Sequence, residues 1–177
     1  MFTPTQHAAF NTWANQRLLG ACATLSDARL RADRGAYFKS IWGTLNHILL
    51  VDMLYLDRLQ GRASHFKRLD ETVCLDFLEL RGLQTEQDRL YTAYVDTLTP
   101  AELDRDVRFR TLLADAQMWT VPMRLYLSNL FQHQAHHRGQ VHNLLSQEGL
   151  DPPPLGFVEY ALEAGLVAPP EGVEGSP

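Results

Sequence analysis

The chain has 177 residues, 45% of them hydrophobic and 21% charged, the proportions of an ordinary soluble globular domain whose core needs neither a metal nor a disulfide for stability. A formal charge of −5 without a concentrated Lys/Arg block argues against avid nucleic-acid binding, and Cys22 and Cys74 form neither a Cys-x-x-Cys unit nor a disulfide framework. The opening "MFTPTQHAAFNTWANQRLL" lacks the features of a secretory signal, and "LNHILLVDMLYL" is too short and interrupted to span a membrane, so the cytoplasm is the expected compartment.

Apolar periodicity and capping residues predict four long helices. The first covers roughly residues 5–25, entered after Pro4, with Phe10, Trp13, Ala14, Leu18 and Ala21 spaced to face a core. The second covers roughly residues 37–59 and ends at Gly61; it is apolar around most of its circumference, so it must be enclosed by neighbours or by a partner subunit. A short crossing helix is expected near residues 71–80, ended by Gly82. A third long helix follows over residues 85–98, with Thr85 as cap, Asp88 in a box-like position and Pro100 as terminator. "DVRFR" alternates and can pair with "QMWTV" as a short hairpin or extended segment. Pro122 then opens the fourth helix, which Gly149 and "DPPP" close. This element set predicts an all-α domain over residues 1–164, a four-helix bundle, followed by a tail over 165–177 that has too little apolar periodicity for a fixed element and is expected to be flexible.

The fourth helix carries the chemistry. At about 100° per residue, Tyr126, Leu130, His133, His137, Val141 and Leu144 share one narrow stripe, so two imidazoles one turn apart face an apolar interior. The i,i+4 spacing suits two ligands of one divalent ion, and His47, in the apolar second helix, is the best third. The competing reading has His133 and His137 as partly buried histidines bonded to carbonyls or carboxylates. His136 and His142 project away from the stripe and read as surface or local polar residues, with contacts that support the ligands as the lesser reading, and His7 and His65 lack any comparable pairing. A three-imidazole site suits zinc or nickel, with iron or manganese as further options.

These residues bring a family into view. "WGTLNHILLVDMLYLDRL", "FNTWANQRLL", "GLDPPPLGF" and above all "LFQHQAHHRGQVHNLL", with its His-x-x-x-His-Arg-Gly-Gln pattern, make the chain similar to the DinB (damage-inducible protein) family, which is distinct from the DNA polymerase of that name. The resemblance covers nearly the whole chain to about Ala164. It implies a DinB-like four-helix bundle with a long crossover, a metal site of His47, His133 and His137, and a homodimer. Family relatives that perform thiol-dependent transfer or isomerisation make metal-assisted thiolate chemistry an available analogy, although a fold alone selects no reaction.

Other residues keep two readings each. Arg138 can bind an acidic group near the site or form a structural ion pair, and Gln140 can orient a polar network or support chain contacts. Asp52 can orient a histidine, pair with an arginine or sit solvated; Asn11 and Asn15, one turn apart, fit a polar seam better than substrate recognition. Trp13, Trp42, Trp119, Tyr55, Tyr91, Tyr94 and Tyr126 can line a pocket, but core or dimer packing is their ordinary use. Neither cysteine has a histidine or basic residue placed to activate it, so thiol chemistry would use an external small thiol. Three functions follow in order: a metal-dependent enzyme acting on a small molecule through activated water or a small-thiol cosubstrate, a noncatalytic metal-stabilised stress-associated or interaction protein, and, last, nucleic-acid binding.

Overall fold

Helix α1 (Pro4–Cys22) begins where Thr3 and Gln6 exchange side-chain and backbone bonds in a capping box with Pro4 in the first turn. A short α2 (Asp27–Arg31) follows, and α3 (Ile41–Leu59) starts at the Ser40 cap, later than the expected residue 37. The second half of the bundle consists of α4 (Phe77–Asp96), the single turn α5 (Pro100–Leu103), strands β1 (Asp106–Arg110) and β2 (Met118–Pro122), α6 (Met123–Gln147) and α7 (Phe157–Glu163). These elements come from a computed structural model that describes residues 3–112 and 116–168. Residues 169–177, most of the expected tail, lie outside the described residues.

Cross-helix bonds fix the helix directions. Asp88 meets Asn11 and Asn15 while Asp96 meets Thr5, so α1 and α4 are antiparallel. His47 faces His133 and Tyr55 faces Asn129, so α3 and α6 are antiparallel too. Tyr91 and Tyr94 donate to the carbonyls of Asp52 and Leu59, which makes the consecutive helices α3 and α4 parallel. Parallel neighbours cannot be joined by a tight turn. Residues 60–76 therefore run back along the bundle as an extended crossover, which is the long crossover of the expected architecture.

That return path replaces the short crossing helix expected at residues 71–80. The crossover is held by Asn46, whose side-chain oxygen accepts from the backbone N–H groups of Val73 and Cys74 at 2.8 and 3.3 Å. Helix α4 then starts at Asp76, which accepts from Glu79 N at 2.9 Å while Glu79 accepts from Leu75 N at 2.7 Å. Gly82 lies inside this helix rather than ending the piece before it, and Thr85 caps nothing; its hydroxyl donates to the Arg81 carbonyl at 2.9 Å. A helical Gly costs about 1 kcal/mol relative to Ala. Burying Leu80 in the core with Leu18 and Leu45 outweighs it.

The hairpin forms as expected, antiparallel with Phe109 opposite Trp119, and it packs Phe109 against Tyr126 of α6. Pro122 precedes α6, and Gly149, at φ +76°, ends the turn after it. Helix α7 had no sequence signal. It is held on α1 by Phe157 stacked on Phe10 at 4.0 Å between ring centroids and by Glu163 paired with Trp13 and Arg17.

Candidate metal centre

The stripe on α6 folds inward as its periodicity requires: Tyr126, Leu130, His137, Val141 and Leu144 are buried and His133 is half-buried. His47 reaches the pair from α3. The three imidazoles stand with ring centroids 4.3 to 5.0 Å apart, and one nitrogen from each lies within 4.8 Å of the others. His47 Nε2 and His133 Nε2 are 3.1 Å apart. Two nitrogens sharing one tetrahedral zinc at about 2.0–2.1 Å stand roughly 3.3 Å apart, so the donor set fits an ion of that class.

The opposite ring nitrogens decide which lone pairs remain available. His47 Nδ1 lies 2.7 Å from the Leu69 carbonyl, and His137 Nδ1 lies 2.8 Å from the Gln140 side-chain oxygen. Each oxygen accepts a hydrogen bond from Nδ1–H, which leaves Nε2 unprotonated in a neutral ring. His133 Nδ1 is buried with no hydrogen-bond partner among the described residues, and the ring is held through its Nε2 contact with His47. Burial depresses all three basicities. It lowers His137 to about 4 and, with the charges of the neighbouring histidines, His133 to about 3, and it outweighs the Leu69 bond at His47. The cluster is therefore neutral at pH 7, the state that binds a cation.

Two parts of this site lacked a sequence signal. The Leu69 carbonyl is a backbone group delivered by the crossover. Phe38 stacks on His47 at 4.0 Å between centroids because Gly43 lets the chain come close: a Cβ at Gly43 would fall on the Phe38 carbonyl oxygen. The role of Gln140 was legible in principle, since it stands one turn from His137 on the same helix. It also bonds His136 at 3.1 Å, which stays exposed and outside the three-nitrogen group. His7 stacks on Phe131 and His65 is exposed on the crossover, both away from the cluster.

The centre opens into a cleft of about 970 Å³ walled by Tyr37, Phe38, Arg68, Glu71, His136 and Gln140 among others. Behind it, at Gln134 and Arg138, each next in sequence to a cluster histidine, begins a buried polar seam. Asp52 is buried and accepts from the side-chain nitrogens of Gln84, at 2.8 Å, and Gln134, so it is neither solvated nor bonded to a histidine. Asp88 accepts from Asn15 at 2.8 Å, and buried Arg138 donates to the side-chain oxygens of Asn11 and Asn15. Asn11 and Asn15 thus form the expected polar seam, and Arg138 sits within it bonded to the two asparagines, with no ion pair among the described residues. Burial, reinforced by Asp88, pushes Asp52 up to about 8; burial also raises Asp88 to about 7 and lowers Arg138 to about 10. Of the aromatics, Trp42, Tyr91 and Tyr126 are buried packing residues, whereas Trp119 is half-exposed on the hairpin. Both cysteines are buried free thiols, with burial pushing Cys22 up to about 12 and Cys74 to about 11.

Known proteins bear on this arrangement at the level of fold and family. A crystal structure of a DinB-like protein, YjoA from Bacillus subtilis, is 20% identical and superposes with a TM-score of 0.63, covering 85% of this chain and 97% of that one. No curated protein matches the sequence. The DinB family model matches residues 1–171, and with the parallel α3–α4 pair and its crossover already in view, the chain belongs to the DinB family.

Proposed function

We propose that His47, His133 and His137 hold one divalent transition ion, zinc or nickel ahead of iron or manganese, and that the protein is a metal-dependent enzyme. The reaction would be transfer of an external small thiol or hydrolysis by water. One observation carries this reading: three neutral imidazoles converge at the wall of a 970 Å³ cleft. Three nitrogen ligands suit a four-coordinate centre that keeps one position for a reactant. When bound, the ion supplies Lewis acidity, favouring the deprotonated form of water or thiol or polarising a carbonyl.

The chain supplies orientation and exclusion. Leu69 and Gln140 hold the Nδ1 protons so that Nε2 atoms face the shared point, and Phe38 covers one face of His47. Cys22 and Cys74 are buried with raised basicity, which supports an outside source for any thiol. A noncatalytic, metal-stabilised role would call for an enclosed centre, and the cleft favours catalysis over it. Exposed Val158, Leu162 and Leu166 on and beyond α7 offer an apolar surface in keeping with a homodimer. Among the described residues no helix is long and apolar enough to cross a membrane.

The test is turnover against metal content. Protein stripped by a chelator and reloaded with zinc or nickel is assayed for small-thiol transfer to electrophiles and for hydrolysis of activated esters and amides. Activity should appear with the metal and disappear, together with most bound metal, in His133→Ala. Full turnover in metal-free protein would contradict the proposal, and metal uptake without any turnover would favour the noncatalytic role.

A further inference from the structure

We infer that a trough leading from the histidine cluster to the β-hairpin binds an elongated organic anion, with the acidic group held by Arg108, Lys67 and Arg58 and the reacting end at the cluster. The inference rests on the proposed metal-dependent reaction and names the substrate class that site would take.

The observation is a concentration of charge that the fold assembles from three segments. A cleft of about 730 Å³ beneath the hairpin is walled by Arg58 of α3, Arg62 and Lys67 of the crossover, and Arg108 and Arg110 of β1. No Asp or Glu lines it among the described residues. Five of the chain's 16 Lys and Arg residues thus meet in one cleft of a protein whose net charge is −5, which a uniformly mixed surface would not produce.

The partners of these cations show which charges are spare. Arg62 pairs with Asp57 at 2.9 Å, outside the cleft wall. Arg110 donates to the Ala116 carbonyl at 3.3 Å. Arg58 donates to the Arg110 carbonyl at 2.9 Å and lies over the Phe109 ring at 4.3 Å, so its position is fixed while its charge meets no carboxylate among the described residues. Arg108 and Lys67 enter no ion pair among the described residues, and both are exposed. Clustered cations against low-dielectric walls focus a positive potential, and guanidinium groups recognise carboxylate or phosphate through paired N–H donors.

A third, smaller chamber of about 230 Å³ shares wall residues with both this basin and the cleft at the metal centre. Its walls include Val51, Leu54, Phe109 and Leu112 together with Arg58 and His133. Leu112 also lines both larger clefts, and Leu69 and His133 are shared with the cleft at the histidines. Along α3, eleven residues separate His47 from Arg58, about 16 Å at about 1.5 Å per residue. A ligand that fills the trough therefore needs a polar reacting end, an apolar middle and an acid at the far end. A small neutral substrate would leave the cationic basin unused.

Monohydroxamates of linear dicarboxylic acids make suitable probes, because the hydroxamate end can bind a divalent metal and the other end carries the acid. Each is compared with the same chain ending in a primary amide, over a series of chain lengths, on cobalt(II)-loaded protein. Calorimetry reads affinity, and the visible cobalt spectrum reads contact with the metal. At the best length the acid-ended probe should bind about tenfold or more tighter. Lys67→Gln with Arg108→Gln should bring that ratio to about threefold or less without changing the affinity of the amide-ended probe, and Arg58→Gln should act in the same direction. Arg81→Gln with Arg89→Gln, which removes the same charge from the outer face of α4, should leave the ratio intact.

Equal affinities in the wild type would overturn the inference, as would a ratio that survives in the basin variant or falls equally in the α4 control. A cobalt spectrum that shifts with both probes but shows no acid preference would remove the trough and keep the metal. Acid preference with an unmoved spectrum would keep the anion basin and remove the metal reading. Failure of both probes to bind would overturn both.

Discussion

The histidine cluster and the Asp52–Asp88–Arg138 seam share α3 and α6, where Gln134 and Arg138 each follow a cluster histidine in sequence, yet they spend their polar groups in opposite ways. In the seam, donors and acceptors from α1, α3, α4 and α6 face one another inside the core, and one oxygen, on Gln134, has no partner among the described residues. In the cluster, the Nδ1 atoms of two rings are bonded and the nitrogens opposite them converge at the wall of a cleft. Buried polar groups satisfied within the protein fix the packing of the helices. Buried polar groups aimed together at an open space are arranged for something that is not protein. Damage to the seam should therefore be read in stability, and damage to the cluster in metal affinity.

The largest effect expected is in the seam. Arg138→Met leaves two buried carboxyl groups without their nearby cation and two asparagines without a donor, which should cost about 3–5 kcal/mol in urea denaturation. The folded variant should still take up one metal ion, since no ligand or ligand-orienting bond has changed. Loss of metal without loss of stability would invert the comparison.

Gln140→Ala is the converse. It removes the acceptor of His137 Nδ1 from a half-exposed position, so metal affinity should fall by about 10–100-fold with little change in the stability of metal-free protein. Competition with a chromophoric chelator measures it. Unchanged affinity would mean that the bond does not orient a ligand.

Asn46→Ala should fall between the two classes. It frees two backbone donors of the crossover that carries Leu69, and should cost about 1–2 kcal/mol together with a smaller loss of metal affinity than Gln140→Ala. A stability loss with metal affinity fully retained would separate the crossover anchor from the site.

The pH dependence of metal-free protein gives the finest discrimination, because the two regions have opposite signs. Asp52 and Asp88 are raised in the fold, so the folded state keeps protons that the unfolded chain has released; their contribution is full below about pH 4 and is lost as pH rises toward 7 and 8. His133 and His137 are lowered, so their contribution is present above about pH 6.5 and is lost as pH falls toward 4 and 3. Each proton taken up or released gives a slope of about 1.4 kcal/mol per pH unit. Asp52→Asn should remove a falling component between about pH 4 and 8 and leave a profile that rises from about pH 4 to 6.5. A profile identical to that of the wild type would show that Asp52 is not a buried acid with raised basicity.

The helical architecture was legible where one residue type answers to one physical constraint. The α6 stripe placed His133 and His137 together by periodicity alone, and the alternation in "DVRFR" and "QMWTV" found the hairpin. Gly82 misled because its cost is local while the burial of Leu80 is tertiary. The meeting of His47 with the pair could not be read from an α3 apolar on most sides; the resemblance supplied it, and the antiparallel pairing of α3 with α6 explains it. The Leu69 carbonyl and the approach of Phe38 to Gly43 belong to backbone paths rather than side-chain patterns. Asp52 looked like an interruption of an apolar helix because its amide partners come from two other helices. The cationic basin has no sequence signature for the same reason, since its residues are scattered through the chain and meet only in the fold.

Anomalous diffraction from crystals of zinc-loaded protein bears most directly on the shared centre. The account predicts a single strong zinc peak per chain within bonding distance of Nε2 of His47, His133 and His137. A peak bound by the α6 pair alone with His47 turned away, or no zinc among intact histidines, would contradict it.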